Sequence, residues 1–447
     1  MTRAALRSLA VLTLIALAAC ADSAPTGTSQ PTTTTGDTAV SSTTTATTAP
    51  PGTTTTRPPE PEGAIVGVQP ADGNRVVSGS GRVPAVSPID VPLPGIPAWV
   101  VGVTDGEAAG WVVALENGET VTVAWRSGQA VVETTPLRLA PLQPPRAIAT
   151  SQGPLPVAPV HPTGSPTTEG LTVGEDSWHV TGDTRLWANL DGADSLVTEG
   201  VLTDTRIVAS QTGLLALLTD PTDRYPHGVL GDIVEAGGFA VVDRDTATRF
   251  TLPEPTVIEG LSPMWVDADG DGVEEILVTL ADREGGARLA LFDAGGTLIS
   301  EGPSFDQGFR WRHQIGAAPL GPNGEYEIVS VATPHLGGVV EFSRLGEGTL
   351  ELVASVPGLT SHVLGSRVID LALIADADGD GLLEVVAPTQ DLTEIGAARR
   401  TADGAEIAWV VPMGGRLCTN LFAVDVAGSL WMAGGRDDGV LRIWPGR

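Results

Sequence analysis

The chain has 447 residues, and its 54 acidic residues outnumber 25 basic ones to give a formal net charge of −29 at pH 7. A protein this acidic repels nucleic-acid phosphates, so the composition excludes nucleic acid as a partner and favours cations. Only two cysteines are present, Cys20 and Cys418, so the fold does not rest on a disulfide framework.

Residues 1 to 19 have the pattern of an export signal. Arg3 and Arg7 precede an apolar stretch that is shorter than the about 20 residues needed to span a membrane. The segment Leu17–Cys20 then resembles the lipobox of bacterial lipoproteins. The resemblance implies cleavage before Cys20, lipidation of Cys20 and anchoring at the outer face of the cytoplasmic membrane or cell surface. An ordinary signal peptide is the alternative.

Residues 20 to 62 form a second stretch of distinct composition. It is dominated by Thr, Pro, Ser and Gly, with runs such as Thr32–Thr35 and Thr53–Thr56. Such a segment buries too little apolar surface to fold, so we predict a disordered tether. Residues 63 to 447 are more than one compact core usually holds, and no comparable linker divides them. We therefore predict that they form a repeat architecture.

Short apolar segments recur throughout residues 63 to 447 and are separated by Gly, Asp, Pro and Asn. Examples are Gly110–Leu115, Glu275–Leu280 and Glu327–Ala332. No long stretch has a helical period. The pattern therefore predicts an all-β protein built from hairpins.

One segment of this region is repeated. Trp265–Leu277 and Ile374–Val386 match closely, and weaker copies occur at Leu320–Val329, Trp187–Val197 and Asp425–Trp431. The turn glycines of four copies follow one another at intervals of about 50 residues, a length typical of propeller blades.

The repeat length predicts a β-propeller of about seven four-stranded blades, preceded by the disordered linker. We expect the C-terminal segment Val440–Trp444 to complete a blade with N-terminal strands and so close the ring. A β-solenoid is the alternative, although its repeats are usually shorter.

The two closest copies carry carboxylates at regular spacing. In each, three Asp alternate along a tight turn, a Gly permits the bend and a Glu follows. Oxygen ligands in such number favour Ca²⁺ over transition metals. An EF-hand loop begins similarly but requires Glu at position 12, where this chain has Val278 or Ala387. A solvated acidic turn without an ion is the alternative.

The spacing is similar to that of the FG-GAP/VCBS repeat, the unit of integrin α-chain propellers and of many bacterial surface proteins. The resemblance covers roughly residues 180 to 400 and implies a calcium loop in a hairpin of each metal-bearing blade. The copies at Asn323/Glu327 and Asn189/Asp191 lack ligands and are not expected to bind an ion tightly. The implied ligands, with position 7 bound through its carbonyl, are Asp267, Asp269, Asp271, Val273 and Glu275 in one loop and Asp376, Asp378, Asp380, Leu382 and Glu384 in the other.

Four of the six histidines share a local sequence context. Each precedes a strand and is followed within a few residues by Gly, and arginines lie near two of them. One hypothesis is a ring at one mouth of the central channel that binds an anion or a glycan. The alternative is that these histidines make structural hydrogen bonds between blades. The residues concerned are His179, His227, His313, His362, Arg312 and Arg367.

Sequence motifs for enzymatic nucleophiles, zinc peptidases and phosphate-binding loops do not occur in the chain, which also contains no lysine. We therefore predict a lipid-anchored, calcium-binding cell-surface propeller that acts as a non-catalytic adhesion or recognition module. Its ligand would be an unknown protein or glycan, an inference drawn partly by family analogy. The alternatives are a polysaccharide lyase or hydrolase on the same scaffold and a cell-envelope assembly factor.

Overall fold

A computed structural model of the chain describes residues 63–141 and 143–446. The predicted signal peptide, Cys20 and the predicted tether lie outside these residues. The described part contains 33 β-strands and no helix, and so has no helix long and apolar enough to cross a membrane. The prediction of an all-β fold is confirmed.

The strands form six hydrogen-bonded sheets, of which the two nine-stranded ones each contain two blades, and we call the resulting eight antiparallel blades 1 to 8 in chain order. Three short strands precede blade 1: β1 (Ile65–Val66), β2 (Val76–Ser80) and β3 (Ile89–Pro92). Blade 1 contains β4 (Pro97–Thr104), β5 (Ala109–Leu115), β6 (Glu119–Arg126) and β7 (Gln129–Arg138). Blade 2 contains β8 (Arg146–Thr150) and β9 (Gly153–Val157). Blade 3 contains β10 (Leu171–Val173), β11 (Asp176–Val180), β12 (Arg185–Leu190) and β13 (Ala193–Glu199).

The remaining blades follow in the same manner. Blade 4 contains β14 (Val208–Ala209), β15 (Leu215–Thr222), β16 (Glu235–Asp243) and β17 (Thr246–Thr251). The short β18 (Val257–Ile258) leads to blade 5, with β19 (Met264–Val266), β20 (Glu275–Ala281), β21 (Arg288–Phe292) and β22 (Leu298–Glu301). Blade 6 contains β23 (Arg312–Ala318), β24 (Glu327–Ala332), β25 (Val339–Leu345) and β26 (Leu350–Pro357). Blade 7 contains β27 (Leu373–Asp376), β28 (Glu384–Pro388), β29 (Glu394–Thr401) and β30 (Gly404–Pro412), and blade 8 contains β31 (Leu417–Val426), β32 (Ser429–Arg436) and β33 (Val440–Trp444).

The N-terminal strands complete two of these sheets. β3 pairs with β33 as the fourth strand of blade 8, with Ile89 opposite Ile443, and β1 pairs with β8 in blade 2. The predicted closure of the ring by the C-terminal strand is therefore confirmed. The ring has eight blades where the repeat length predicted about seven; seven of them have the predicted four strands, and blade 2 has three.

Burial along the strands follows their position within a blade. The second strand of blade 1, Ala109–Leu115, is buried along its whole length, whereas its fourth strand, Gln129–Arg138, is mostly exposed or half-buried. A strand covered on both faces is expected to be a continuous apolar run, and an outer strand is expected to include polar residues. This explains why the inner strands gave the clearest sequence signal.

Apolar side chains fill the space between neighbouring blades. Phe239 of blade 4 and Phe292 of blade 5 have ring centroids 5.2 Å apart, and Trp111 of blade 1 belongs to one cluster with Val424 of blade 8. Comparable clusters join the other neighbouring blades except blades 2 and 3, between which the described residues form none. Burial of this surface is the main force that holds the ring together.

The N-terminal segment, residues 65–83, runs along the inner edges of the blades. Ala71 O accepts a hydrogen bond from Ala209 N in blade 4 at 2.7 Å, and Asp72 O accepts one from Trp265 N in blade 5 at 2.8 Å. Further along, β2 pairs in parallel with β27 of blade 7 and bridges to β32 of blade 8. The described chain is thus a β-propeller. Its ring is closed by the pairing of β3 with β33, and its N-terminal segment contacts the inner strands of several blades.

One sequence interpretation is corrected by the topology. The copies at Trp265–Leu277 and Ile374–Val386 span the first and second strands of their blades. The copy at Trp187–Val197 instead spans the third and fourth strands of blade 3. Its similarity reflects a common turn composition and not an equivalent blade position.

Candidate functional site

Both predicted metal loops connect the first two strands of a blade. Loop A, residues 267–275, joins β19 to β20 in blade 5, and loop B, residues 376–384, joins β27 to β28 in blade 7. The glycine after the third Asp has a positive φ in each loop, 87° at Gly272 and 90° at Gly381. Glycine adopts this left-handed conformation at little cost, which allows the sharp turn.

Loop B brings four carboxyl groups to one centre. One oxygen from each of Asp376, Asp378, Asp380 and Glu384 lies within 4.8 Å of the others. Glu384 is fully buried, and its Oε2 accepts a hydrogen bond from Ala377 N at 2.9 Å. Its Oε1 has no hydrogen-bond partner among the described residues. Because a buried carboxylate oxygen without a donor is costly, this group fits a bound cation.

Loop A has the same carboxylates in a looser arrangement. Oxygens of Asp267, Asp269 and Asp271 lie within 4.8 Å of one another, and Glu275 does not belong to this close group. Glu275 is 9% exposed, and its Oε2 accepts a hydrogen bond from Ala268 N at 3.1 Å. Loop A therefore presents three clustered ligands and a fourth within the same turn.

Backbone N–H groups hold the Asp carboxylates in place in both loops. Asp271 Oδ1 accepts from Val273 N at 2.7 Å, and Asp380 Oδ1 accepts from Leu382 N at 2.8 Å. The side chains at these two apolar positions are exposed to solvent. A ligand from either position would therefore come from the main chain, as the family resemblance implies.

Burial raises the pKa of Glu384 to about 8 and that of Glu275 to about 7. The backbone hydrogen bond from Ala377 or Ala268 opposes this effect, and the charges of the neighbouring Asp residues add to it. A divalent cation would reverse this balance, because it favours the ionised form of every carboxylate around it.

The degenerate copy in blade 6 lacks this arrangement. Asn323 donates to Glu325 from its backbone N at 2.9 Å and from its Nδ2 at 3.0 Å. These hydrogen bonds lower the pKa of Glu325 to about 2. Glu327, the last carboxylate of this copy, accepts from Arg344 Nη2 at 2.6 Å and from Arg400 Nε at 2.8 Å. That this copy does not bind an ion tightly stays a prediction.

Two of the four predicted histidines, His313 and His362, lie in one aromatic cluster around Trp311. Trp311 stacks on His313 with ring centroids 4.7 Å apart, and the edge of His362 meets Trp311 at 5.0 Å. His335, which the sequence analysis did not single out, stacks on Trp311 at 5.9 Å. His227 lies next to the cluster and contacts Glu259.

Each histidine of this cluster makes a hydrogen bond within the protein. His362 Nε2 donates to Ser366 O at 2.8 Å, so its Nδ1 accepts from His335 Nε2 at 2.7 Å. His313 Nδ1 and Ser361 Oγ are 2.8 Å apart and join blade 6 to the connection that follows it. These bonds match the structural alternative for the histidines. Ligand binding by them stays a prediction.

Burial lowers the pKa of His227 and His335 to about 4, that of His362 to about 3, and that of His313 well below its ordinary value. All four are therefore neutral at pH 7. A neutral imidazole group gives little attraction for an anion, whereas binding of an uncharged glycan does not depend on this charge.

The other predicted residues lie apart from this cluster. His179 stacks on His161 in blade 3, with ring centroids 4.5 Å apart. Arg312 Nε donates to Glu341 Oε2 at 2.7 Å, and Arg367 Nη2 donates to Asp232 Oδ2 at 2.6 Å. The structure therefore places His179 in a different aromatic group from His313 and His362, and both arginines pair with carboxylates.

Sequence reasoning missed His335 and Glu259 in this cluster. It also missed a buried network in which Asp370 accepts hydrogen bonds from Arg75 and Arg206. No local motif marks these residues, since each partner comes from a different blade or from the N-terminal segment. Their only sequence signal is that they are polar residues beside strand-forming segments.

Comparisons with known proteins agree on the fold alone. No family model matches the chain, and no curated protein matches it. Similar solved structures include BamB from Moraxella catarrhalis, with 12% identity, TM-score 0.38, and coverage of 81% of this chain and 98% of that chain. BBS1N in complex with ARL6DN has 14% identity, TM-score 0.44, and coverage of 83% and 98%. The WD40 β-propeller domain of Doa1 has 8% identity, TM-score 0.41, and coverage of 79% and 95%.

Proposed function

We propose that this protein is a calcium-binding β-propeller of the FG-GAP/VCBS type that acts as a non-catalytic recognition module at the cell surface. The observation that carries the proposal is the buried, unpartnered Oε1 of Glu384 among three Asp carboxylates. The same spacing recurs in loop A, which a chance acidic turn does not explain.

Calcium is the ion that best suits these loops. Every ligand position offers oxygen, and no His or Cys belongs to either carboxylate group. The four carboxylates of loop B carry more negative charge than Mg²⁺ usually receives from a protein. The ion would be structural, because it would tie the first and second strands of a blade to each other through their connecting loop.

The test is a thermal melt of residues 21–447 in EDTA and in added Ca²⁺. An ion at 100 times its dissociation constant should stabilise the fold by about 2.7 kcal/mol per site. Asp380→Ala and Asp271→Ala should each remove part of the calcium-dependent rise in melting temperature.

Asp105→Ala is the matched control for these variants. Asp105 caps the equivalent first hairpin of blade 1, where its Oδ1 accepts from Glu107 N and Ala108 N at 3.0 Å. This variant should change the melting temperature equally in EDTA and calcium. Melting temperatures of the wild-type chain that do not differ between EDTA and calcium would refute the metal proposal.

Attachment to the membrane through a lipid on Cys20 is part of the proposal and rests on the lipobox-like Leu17–Cys20. The tether would hold the propeller away from the membrane surface. Expression in a bacterial host with a labelled fatty acid should give a labelled protein in the membrane fraction. Cys20→Ala should abolish the label, and a labelled Cys20→Ala protein would contradict the assignment.

A further inference from the structure

A cavity of about 690 Å³ lies at the centre of the propeller, between the N-terminal segment and inner strands that include those of blades 1, 3 and 8. Much of its wall is apolar and includes Ile65, Ile148, Leu171 and Phe422. The wall also includes Val173, which is 49% exposed. Its volume lies within the range of sites that bind small organic molecules.

Two buried arginines of the cavity wall share one carboxylate. Asp370 Oδ1 accepts from Arg75 Nε at 3.1 Å and from Arg206 Nη1 at 2.9 Å, and its Oδ2 accepts from Arg206 Nη2 at 2.6 Å. All three side chains are buried. Asp370 therefore pairs with both arginines, and two further acidic residues, Glu169 and Asp425, also line the cavity, so that its three arginines are matched by three carboxyl groups.

A third arginine of the wall, Arg146, is 5% exposed and forms no ion pair with any described carboxylate. Its guanidinium donates to Thr172 Oγ1 at 2.5 Å and to Ala158 O at 3.5 Å. Glu169 lies on the same wall and attracts Arg146 electrostatically, but it forms no ion pair with Arg146, and its Oε2 accepts from Val68 N at 2.9 Å. A buried guanidinium without a carboxylate partner is costly, and an incoming anion would offset that cost.

We propose that the central cavity binds a small organic anion, whose carboxylate pairs with Arg146 while its apolar body contacts Ile148, Leu171 and Phe422. Arg146 is the one arginine of the described wall that forms no ion pair with a described carboxylate, so it is the group available to an incoming anion. An uncharged ligand would not supply the negative charge that the buried guanidinium of Arg146 favours. Neither acidic loop lines the cavity, so this site is independent of the proposed calcium function.

The probe for this site is 8-anilinonaphthalene-1-sulfonate, which joins an anionic group to an apolar ring system and fluoresces when it leaves water. Titration of residues 21–447 should show one site per chain. Decanoate should displace the probe, whereas decanol at the same concentration should not. Arg146→Gln should weaken binding at least about tenfold, as expected for loss of a charge-assisted hydrogen bond in a buried site.

Arg138→Gln is the matched control, because Arg138 is exposed and pairs with Glu119 on the outer strands of blade 1. It should leave probe binding unchanged. Ile148→Phe, which fills the cavity without changing its charge, should also abolish binding of the probe. This variant tests the proposal if Arg146→Gln does not fold. Wild-type affinity in folded Arg146→Gln and Ile148→Phe proteins, or equal displacement by decanol and decanoate, would overturn the proposal. Repeating the titration in EDTA and in calcium separates this result from the metal proposal.

Discussion

Loops A and B have the same spacing of carboxylates but different surroundings. In loop B the N-terminal segment packs over the turn, where Gly81 N donates to Asp376 O at 2.7 Å and Val83 N donates to Ala377 O at 2.9 Å. In loop A the neighbour is the side chain of Tyr326, which closely approaches Gly270. The motif sets which oxygens are offered, and contacts from distant parts of the chain set how deeply they are buried.

This difference has an energetic consequence. The last carboxylate of loop B is fully buried with one oxygen unpartnered, whereas that of loop A lies nearer the surface. Without an ion, loop B is therefore the more unfavourable of the two, since buried charge is costly unless it is paired. With an ion, its closer ligand group should bind more tightly.

The largest expected effect comes from replacing the last carboxylate of each loop. Glu384→Gln keeps the side-chain volume and an acceptor for Ala377 N but removes the charge, so it should lower the calcium affinity of loop B at least about tenfold. In EDTA at pH 8 the same variant should melt at or above the wild-type temperature, because an unpaired buried charge has been removed.

The comparison variant Glu275→Gln should change the calcium affinity of its loop and the melting temperature in EDTA less than Glu384→Gln does. Calorimetric titration gives the affinities, and thermal melts give the stabilities. If the carboxylate of Glu384 had a purely structural role, its replacement would lower the melting temperature both in EDTA and in calcium. That result for Glu384→Gln would contradict the metal assignment for loop B.

The second effect is the contribution that Glu384 makes to the pH dependence of stability when calcium is absent. Burial raises the pKa of Glu384 from an ordinary 4.5 to about 8, so the folded state binds more protons than the unfolded state between these values. Stability in EDTA should therefore fall as pH rises from 6.5 to 8.5, by on the order of a few degrees in melting temperature. The buried histidines do not interfere in this window, because their lowered pKa values affect stability only below pH 6.5.

Glu384→Gln should flatten this dependence more than Glu275→Gln, since the pKa of Glu275 is raised only to about 7. Saturating calcium should remove the contribution of Glu384 in the wild-type chain, whereas Glu235 and Glu259, whose pKa values burial also raises, keep theirs. An equal slope in the wild-type and both variant chains would show that other groups control the stability above pH 6.5.

The parts of the molecule that could be predicted are those encoded within a few consecutive residues. The strands on either side of loops A and B follow from apolar runs, and the loops follow from a spacing that recurs along the chain. The closing strand Val440–Trp444 was predicted correctly because a ring requires its ends to meet.

The remainder depends on contacts between distant residues. Asp370 binds Arg75, almost 300 residues earlier in the chain, and no local pattern reports such a pair. The path of residues 65–83 along the inner edges of the blades was missed for the same reason. The histidine ring was predicted from similar local context, but the fold places His179 in a different group from His313.

The smallest expected effect concerns charges just outside the two ligand groups. Arg399 Nη1 donates to Asp380 Oδ2 at 2.8 Å and so lowers the negative potential of loop B. Loop A has no such arginine and instead carries Glu274, whose Oε2 accepts from Gln211 N at 2.7 Å. Both side chains are partly exposed, and solvent screening keeps the effect of each charge small.

Arg399→Gln should therefore raise the calcium affinity of loop B about two- to fivefold, and Glu274→Gln should lower that of loop A by a similar factor. Both changes should shrink in 0.5 M salt, because screening acts on exposed charges. Calorimetric titration at low and high ionic strength measures them. If Arg399→Gln instead weakened binding, Arg399 would act by holding Asp380 in its ligand position, and the contrast between the loops would lie in preorganisation of the ligands and not in net charge.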